Sequence, residues 1–346
     1  MIPAARPALT RASWLCIAPL VLLAALLFGT AVGETQIPFS TVIDVLSTQL
    51  GLSDRHISTV DEAVIWHYRM ARAVVAACCG AGLALSGLVL QALLRNALAD
   101  PYLLGISAGA STGVVMVTVA GIGAGVISMS VGAFTGALTA FAFVAMLAYM
   151  SGGTGVRSAG VLILAGIAGA QLFNALTAFI IAQSASAEQA RGIMFWLLGS
   201  LSGVRWPDAW LAMPIAGLAV GMACWHVRTL DAFTFGTESA AVLGINLRWT
   251  KILLISTTAL VTAIMVSITG AIGFVGLVVP HACRLIVGVR HRQLVPATAL
   301  MGAVFLIVSD VVSRIIIPGQ VVPIGVITAL VGAPAFALIM VRGRRR

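Results

Sequence analysis

Side chains able to do chemistry are few in this sequence, and they gather at a handful of places. Residues 91–111, QALLRNALADPYLLGISAGAS, set Gln91, Arg95, Asn96, Asp100 and Pro101 between two long apolar runs. Within that stretch Gly105, Ser107 and Gly109 fit G-x-S-x-G, the nucleophile elbow of serine hydrolases, which requires a strand ahead of the turn and a histidine with an acid elsewhere. The flanks here are apolar and helical in pattern, and His226 and His281 have no evident acid partner, so hydrolysis is set aside. Asp310 and Arg314 stand four residues apart and can pair on one helical face. Arg69 and Arg72 stand three apart at the head of an apolar run, placed for snorkelling or for docking an acidic partner. The cysteines Cys16, Cys78, Cys79, Cys224 and Cys283 all lie in apolar runs, match no metal-ligand spacing and read as packing residues. A phosphate loop needs G-x-x-x-x-G-K-[ST], and the only lysine, Lys251, sits in LRWTKILL, so nothing here hydrolyses ATP.

The elements that must position these residues are membrane helices. Of 346 residues 60% are hydrophobic and 9% charged, with mean hydropathy +1.08, whereas soluble chains carry roughly a quarter charged residues. The basic excess is almost all arginine and does not require a nucleic-acid partner. Apolar runs, uncharged except for Asp310 and Arg314 in one of them, predict crossings at 13–33, 73–94, two within 101–156, then 158–187, 209–227, 252–269, 294–317 and 322–341. The first is too long for a signal peptide's apolar region and reads as an uncleaved span. The glycines of AGIGAG, 120–125, supply the turn inside the long run. Both chain ends are arginine-rich and so belong in the cytoplasm, which requires an even count. The shorter piece at 270–288 therefore crosses too, giving ten spans, and fourteen of the twenty basic residues then fall inside. No separate soluble domain fits: 1–346 reads as one all-α transmembrane domain. PFSTVIDVLSTQLG, with Phe39, Val42, Ile43, Leu46 and Leu50 at helical spacing, reads as a short amphipathic helix at the outer surface. GTESAAVLG reads as a short helix in the longest inner loop, about 229–250, with Thr237 as N-cap.

The opening stretch, with GAIGFVGLVVPHACRL at 270–285 and PIGVITALVGAPAFALIM at 323–340, closely resembles the permease family of ABC importers for cobalamin, ferric siderophores and haem. The resemblance runs from about Val64 to the C-terminus. It departs at Ala97, where the family usually has proline. It implies ten helices per subunit and a second copy of the chain, with the pathway between them. It further implies two cytoplasmic ATPase subunits, which carry the ATP and Mg while this chain holds no cofactor, and a periplasmic substrate-binding protein. The setting it implies is the bacterial inner membrane. By the same resemblance Asn96, Leu98 and Ser158 form a cytoplasmic gate. Gly236, Thr237, Glu238, Ser239, Ala240 and Ala241 form the helix that couples to the ATPase. Arg69, Arg72 and Arg314 dock the binding protein's glutamates. The outer-mouth loop at 183–203 carries Arg191 beside Phe195 and Trp196, which suits an acidic macrocycle, with haem favoured over a ferric siderophore or cobalamin. A gradient-driven carrier would want intramembrane acids as an ion relay, and only Asp310 qualifies.

Overall fold

The computed structural model describes residues 11–55, 57–122, 127–152, 158–184 and 186–343. Among them the regular structure is all helical, apart from a single isolated bridge between Ile317 and Gln320. Helix α1 (Arg11–Ala31) is followed by α2 (Phe39–Gln49) and α3 (Thr59–Glu62), which passes through a π-helical stretch (Ala63–Met70) directly into α4 (Ala71–Leu94). A 3-10 turn (Pro101–Leu104) precedes α5 (Ile106–Thr118), α6 (Met129–Met150), α7 (Ser158–Ser184) and α8 (Ala187–Leu197). The rest runs α9 (Trp206–Trp225), α10 (Val227–Phe235), α11 (Thr237–Val242), α12 (Leu247–Thr269), α13 (Val275–Val287), α14 (His291–Ile315) and α15 (Ile324–Gly343). Long apolar helices are what a chain forms where no water can satisfy its backbone.

Six of these helices are long and apolar enough to cross a membrane, those ending at Leu94, Met150, Gln183, Trp225, Thr269 and Ile315. Four shorter apolar helices lie at Ile17–Ala31, Ile106–Thr118, Val275–Val287 and Ile324–Leu338. Each lies in a run where the sequence places a crossing. Residues 123–126, which include part of the AGIGAG turn, are outside the described set. Two helices, α8 and α10, stand where the sequence reads as loop, and the short helix expected within the inner loop is present as α11. The stretch 183–203 holds α8, started by a capping box in which Ser186 and Gln189 bond reciprocally. The inner loop at 229–250 holds most of α10 and all of α11.

Helix α4 is the hub, buried along nearly its whole length among α9, α12, α13 and α14. Small residues make this possible. A Cβ on Gly80 would collide with the Gly302 carbonyl of α14, and one on Gly87 with the Gly276 carbonyl of α13. Glycines 109 and 113 of α5 meet Gly132 and Gly136 of α6 in the same way. Helix α2 packs Val42, Val45 and Leu46 beside Ile65 and leaves Phe39, Ile43 and Leu50 exposed, so it both packs and faces outward.

Candidate functional site

The polar stretch after α4 is a folded-back connection held by its own side chains. Arg95 ends α4 in the left-handed conformation (φ 50°), and the Asn96 N–H returns to the Gln91 carbonyl at 3.2 Å. The Asn96 Oδ1 accepts from the Leu98 N–H at 2.9 Å, closing a turn that leaves Leu98 exposed at its tip. The turn forms with Ala97 in place of proline because the Asn96 side chain supplies the fold. Asp100 accepts from the Tyr102 N–H at 2.9 Å and starts the 3-10 turn, which Gly105 ends at φ 75°. Ser158 is the first residue of α7, and its side chain is outside the described set.

This connection is tied to the irregular break between α12 and α13. The Tyr102 hydroxyl donates to the Ile272 carbonyl (2.9 Å) and accepts from the Ile272 N–H (2.8 Å). Buried Gln91 donates to the Gly276 carbonyl (3.0 Å) and accepts from Arg284 of α13 (2.6 Å). Non-helical backbone inside an apolar bundle needs such partners. Tyr102 and Arg284 went unnoticed in the sequence, because nothing local joins residues 170 or more positions apart. The result is a rigid joint directly behind the turn that presents Leu98.

The segment α10–α11 stands at the same end of α4. Gly236 separates the two helices at φ 125°, ψ 155°, a conformation that favours glycine. Gly236, not Thr237, is the N-cap, and Thr237 is the first helical residue. Ala240 is buried against the bundle while Glu238 and Ala241 face outward. Val242 is 89% exposed, and Leu243 and Phe235 are exposed beside it, so this short helix offers an apolar surface unfilled by its own chain. The segment is fastened to α14: the Asp231 carboxylate accepts from the His291 N–H (2.9 Å) and stands 2.7 Å from His291 Nδ1. The imidazole is buried. Asp231 thereby caps a helix of 25 residues that reaches to the far end of the bundle.

At that far end lies a buried cluster of charge. Asp310 accepts from Arg72 Nε at 2.7 Å and from Arg314 at 3.1 Å, and all three side chains are at most 2% exposed. Arg72 also reaches the Tyr68 hydroxyl at 2.8 Å. Arg314 donates to the Gly29 carbonyl at 2.8 Å. Arg69 is likewise buried and donates to the carbonyls of Ala31 (3.0 Å) and Thr35 (2.6 Å). The predicted Asp310–Arg314 pair is present. Arg69, Arg72 and Arg314, which the resemblance assigns to docking, are buried rather than snorkelling: within the subunit they bind α1, α4 and α14 together, because burying them requires acceptors.

Of the residues expected at a cargo mouth, Arg191 and Phe195 lie exposed on α8. Trp196 is half-buried against the core that includes Tyr102 and Leu162, so it is not presented with them. Gln189 ties α8 to the end of α5 through the Thr118 carbonyl at 3.1 Å.

Comparison with known proteins agrees with this geometry. A family model described as the FecCD transport family matches residues 21–342. The cobalamin import system permease protein BtuC of Halobacterium salinarum is 40% identical over 280 residues, 81% of this chain and 73% of that protein. The ABC transporter permease protein YvrB of Bacillus subtilis is 36% identical, covering 92% of this chain and 91% of its own length. The vitamin B12 import system permease protein BtuC of Salmonella paratyphi A is 36% identical, covering 84% and 87%. A solved structure of a metal-chelate type ABC transporter in an inward-facing conformation superposes with TM-score 0.79 at 30% identity, over 94% of this chain and 97% of that one. With a family match along nearly its whole length and relatives 36–40% identical, the chain belongs to the FecCD transport family of ABC importer permeases.

Proposed function

We propose that the chain lines the pathway of an ATP-driven importer for a bulky metal chelate in the bacterial inner membrane, as one of two identical permease subunits. All ten apolar helices cross, both termini are cytoplasmic, and the end carrying α11 faces the cytoplasm. Two ATPase subunits, which hold the ATP and Mg, seat on α11, and a periplasmic binding protein delivers cargo at the opposite end. Asn96, Leu98 and Ser158 gate the inner exit. The observation that carries this reading is α11 with Val242 and Leu243 exposed at its end, following directly on α10, which Asp231 and His291 fasten to α14. A fastened helix transmits displacement to the bundle, which a floppy loop cannot. Arg191 and Phe195 meet cargo at the outer mouth. The relatives named for cobalamin or vitamin B12 import support a corrinoid cargo ahead of haem or a ferric siderophore.

The test is contact at α11. A cysteine at Val242, placed in a background without the native cysteines, forms a crosslink to the co-expressed ATPase subunit, and one at Val60, exposed on α3, forms none. A crosslink from residue 60 and none from 242 would reverse the orientation and remove the reading.

A further inference from the structure

The end of α9 opens onto a feature that the transport reading does not use. A cleft of about 610 Å³ is lined by Cys224, Trp225, Val227, Arg228 and Arg292. Trp225 is 87% exposed. Among the described residues neither Arg228 nor Arg292 makes an ion pair or hydrogen bond, and the nearby carboxylate of Asp231 is engaged by His291. The cleft also sits at the first turns of α10 and α14, whose helix dipoles add positive potential. It is therefore a cationic cleft with an aromatic wall, in which two arginines outnumber the one nearby carboxylate, Asp231.

What occupies it follows from the helix that carries it. Helix α9 is about 30 Å long at 1.5 Å per residue, close to the hydrocarbon thickness of a bilayer. It exposes Trp210, Leu211, Leu218 and Trp225, while Trp206 packs inward on Trp66. Exposed tryptophans toward the two ends of an outward apolar helix are the pattern of a lipid-facing helix anchored at the headgroup layers. The arginines thus stand at headgroup depth, beside a face that acyl chains cover. We infer that this cleft binds the phosphate of an anionic phospholipid, through Arg228 and Arg292, with its acyl chains along α9. Only the choice of the cytoplasmic leaflet rests on the orientation proposed above.

The experiment is native mass spectrometry of the permease purified with its ATPase, offered cardiolipin, phosphatidylglycerol or phosphatidylcholine. Wild type retains the two anionic lipids over phosphatidylcholine. R228Q/R292Q loses that retention by roughly thirty-fold, from two basic contacts at a lipid surface. R228K/R292K keeps most of it, which separates loss of charge from loss of fold. Excess inorganic phosphate leaves the bound lipid in place. Undiminished retention by R228Q/R292Q overturns the inference. So does displacement by inorganic phosphate, or loss of the ATPase subunit from R228Q/R292Q with the lipid still bound, since these assign the cleft to a soluble anion or to an acidic protein surface.

Discussion

Replacing Asp310 with alanine removes the only carboxylate that, among the described residues, pairs with the buried guanidinium groups of Arg72 and Arg314. A unit charge pair at 4 Å is worth about 4 kcal/mol at an effective dielectric near 20. Part of that is recovered as the arginines reach for other acceptors, and breaking a buried pair from one side costs about 3–5 kcal/mol. Arg314 has the weaker hold, since its Nη1 is buried with no hydrogen-bond partner among the described residues. Arg72 has Tyr68 and Ser202 besides Asp310. The order of damage is therefore D310A, then R72A, then R314M, and D310N falls below D310A because it keeps an acceptor. Thermal unfolding of the detergent-purified subunit reads this as a fall on the order of 10 °C for D310A. A wild-type midpoint for D310A, or a larger loss in R314M than in D310A, would refute the assignment of this cluster as the outer clasp of the bundle.

Further predictions follow the other joints. D231A and H291Q free the coupling segment from α14: ATP hydrolysis continues while uptake falls roughly ten-fold, within the usual range of coupling energies, and equal losses of both would point to misfolding instead. G87A drives a methyl into the Gly276 carbonyl and costs about 1–3 kcal/mol by overpacking, read as a lower unfolding midpoint and a reduced level in the membrane. Y102F leaves the Ile272 N–H and carbonyl without the hydroxyl that serves both, at about 1–3 kcal/mol for each buried group left unpaired. Its effect is measured by hydrogen exchange at the break between α12 and α13, where protection falls first.

The sequence makes the long apolar helices legible because length and missing charge are local properties. Asp310 with Arg314 and the short helix after Gly236 are legible for the same reason: spacing within one helix suffices. The partner of Arg72 is 238 residues away and that of His291 is 60 away, and which helix faces which cannot be read from hydrophobic runs that are apolar all round. Arg69, Arg72 and Arg314 show the cost. Resemblance located them at the outer end, but position in a sequence says nothing of burial, and the packing of α1 and α14 against α4 encloses them. The helix α8 was available from Ser186 and Gln189 at capping-box spacing, yet its polar composition looked like a loop.

The central claim is that this subunit moves cargo only with an ATPase seated on α11. The most direct measurement is uptake of radiolabelled cobalamin, with haem and a ferric siderophore alongside, into proteoliposomes holding the permease, its ATPase and its binding protein. Uptake of cobalamin that needs ATP and the ATPase subunit, and that V242D abolishes, is the predicted result. Uptake by the permease alone, or by the complex without ATP under an ion gradient, would contradict it.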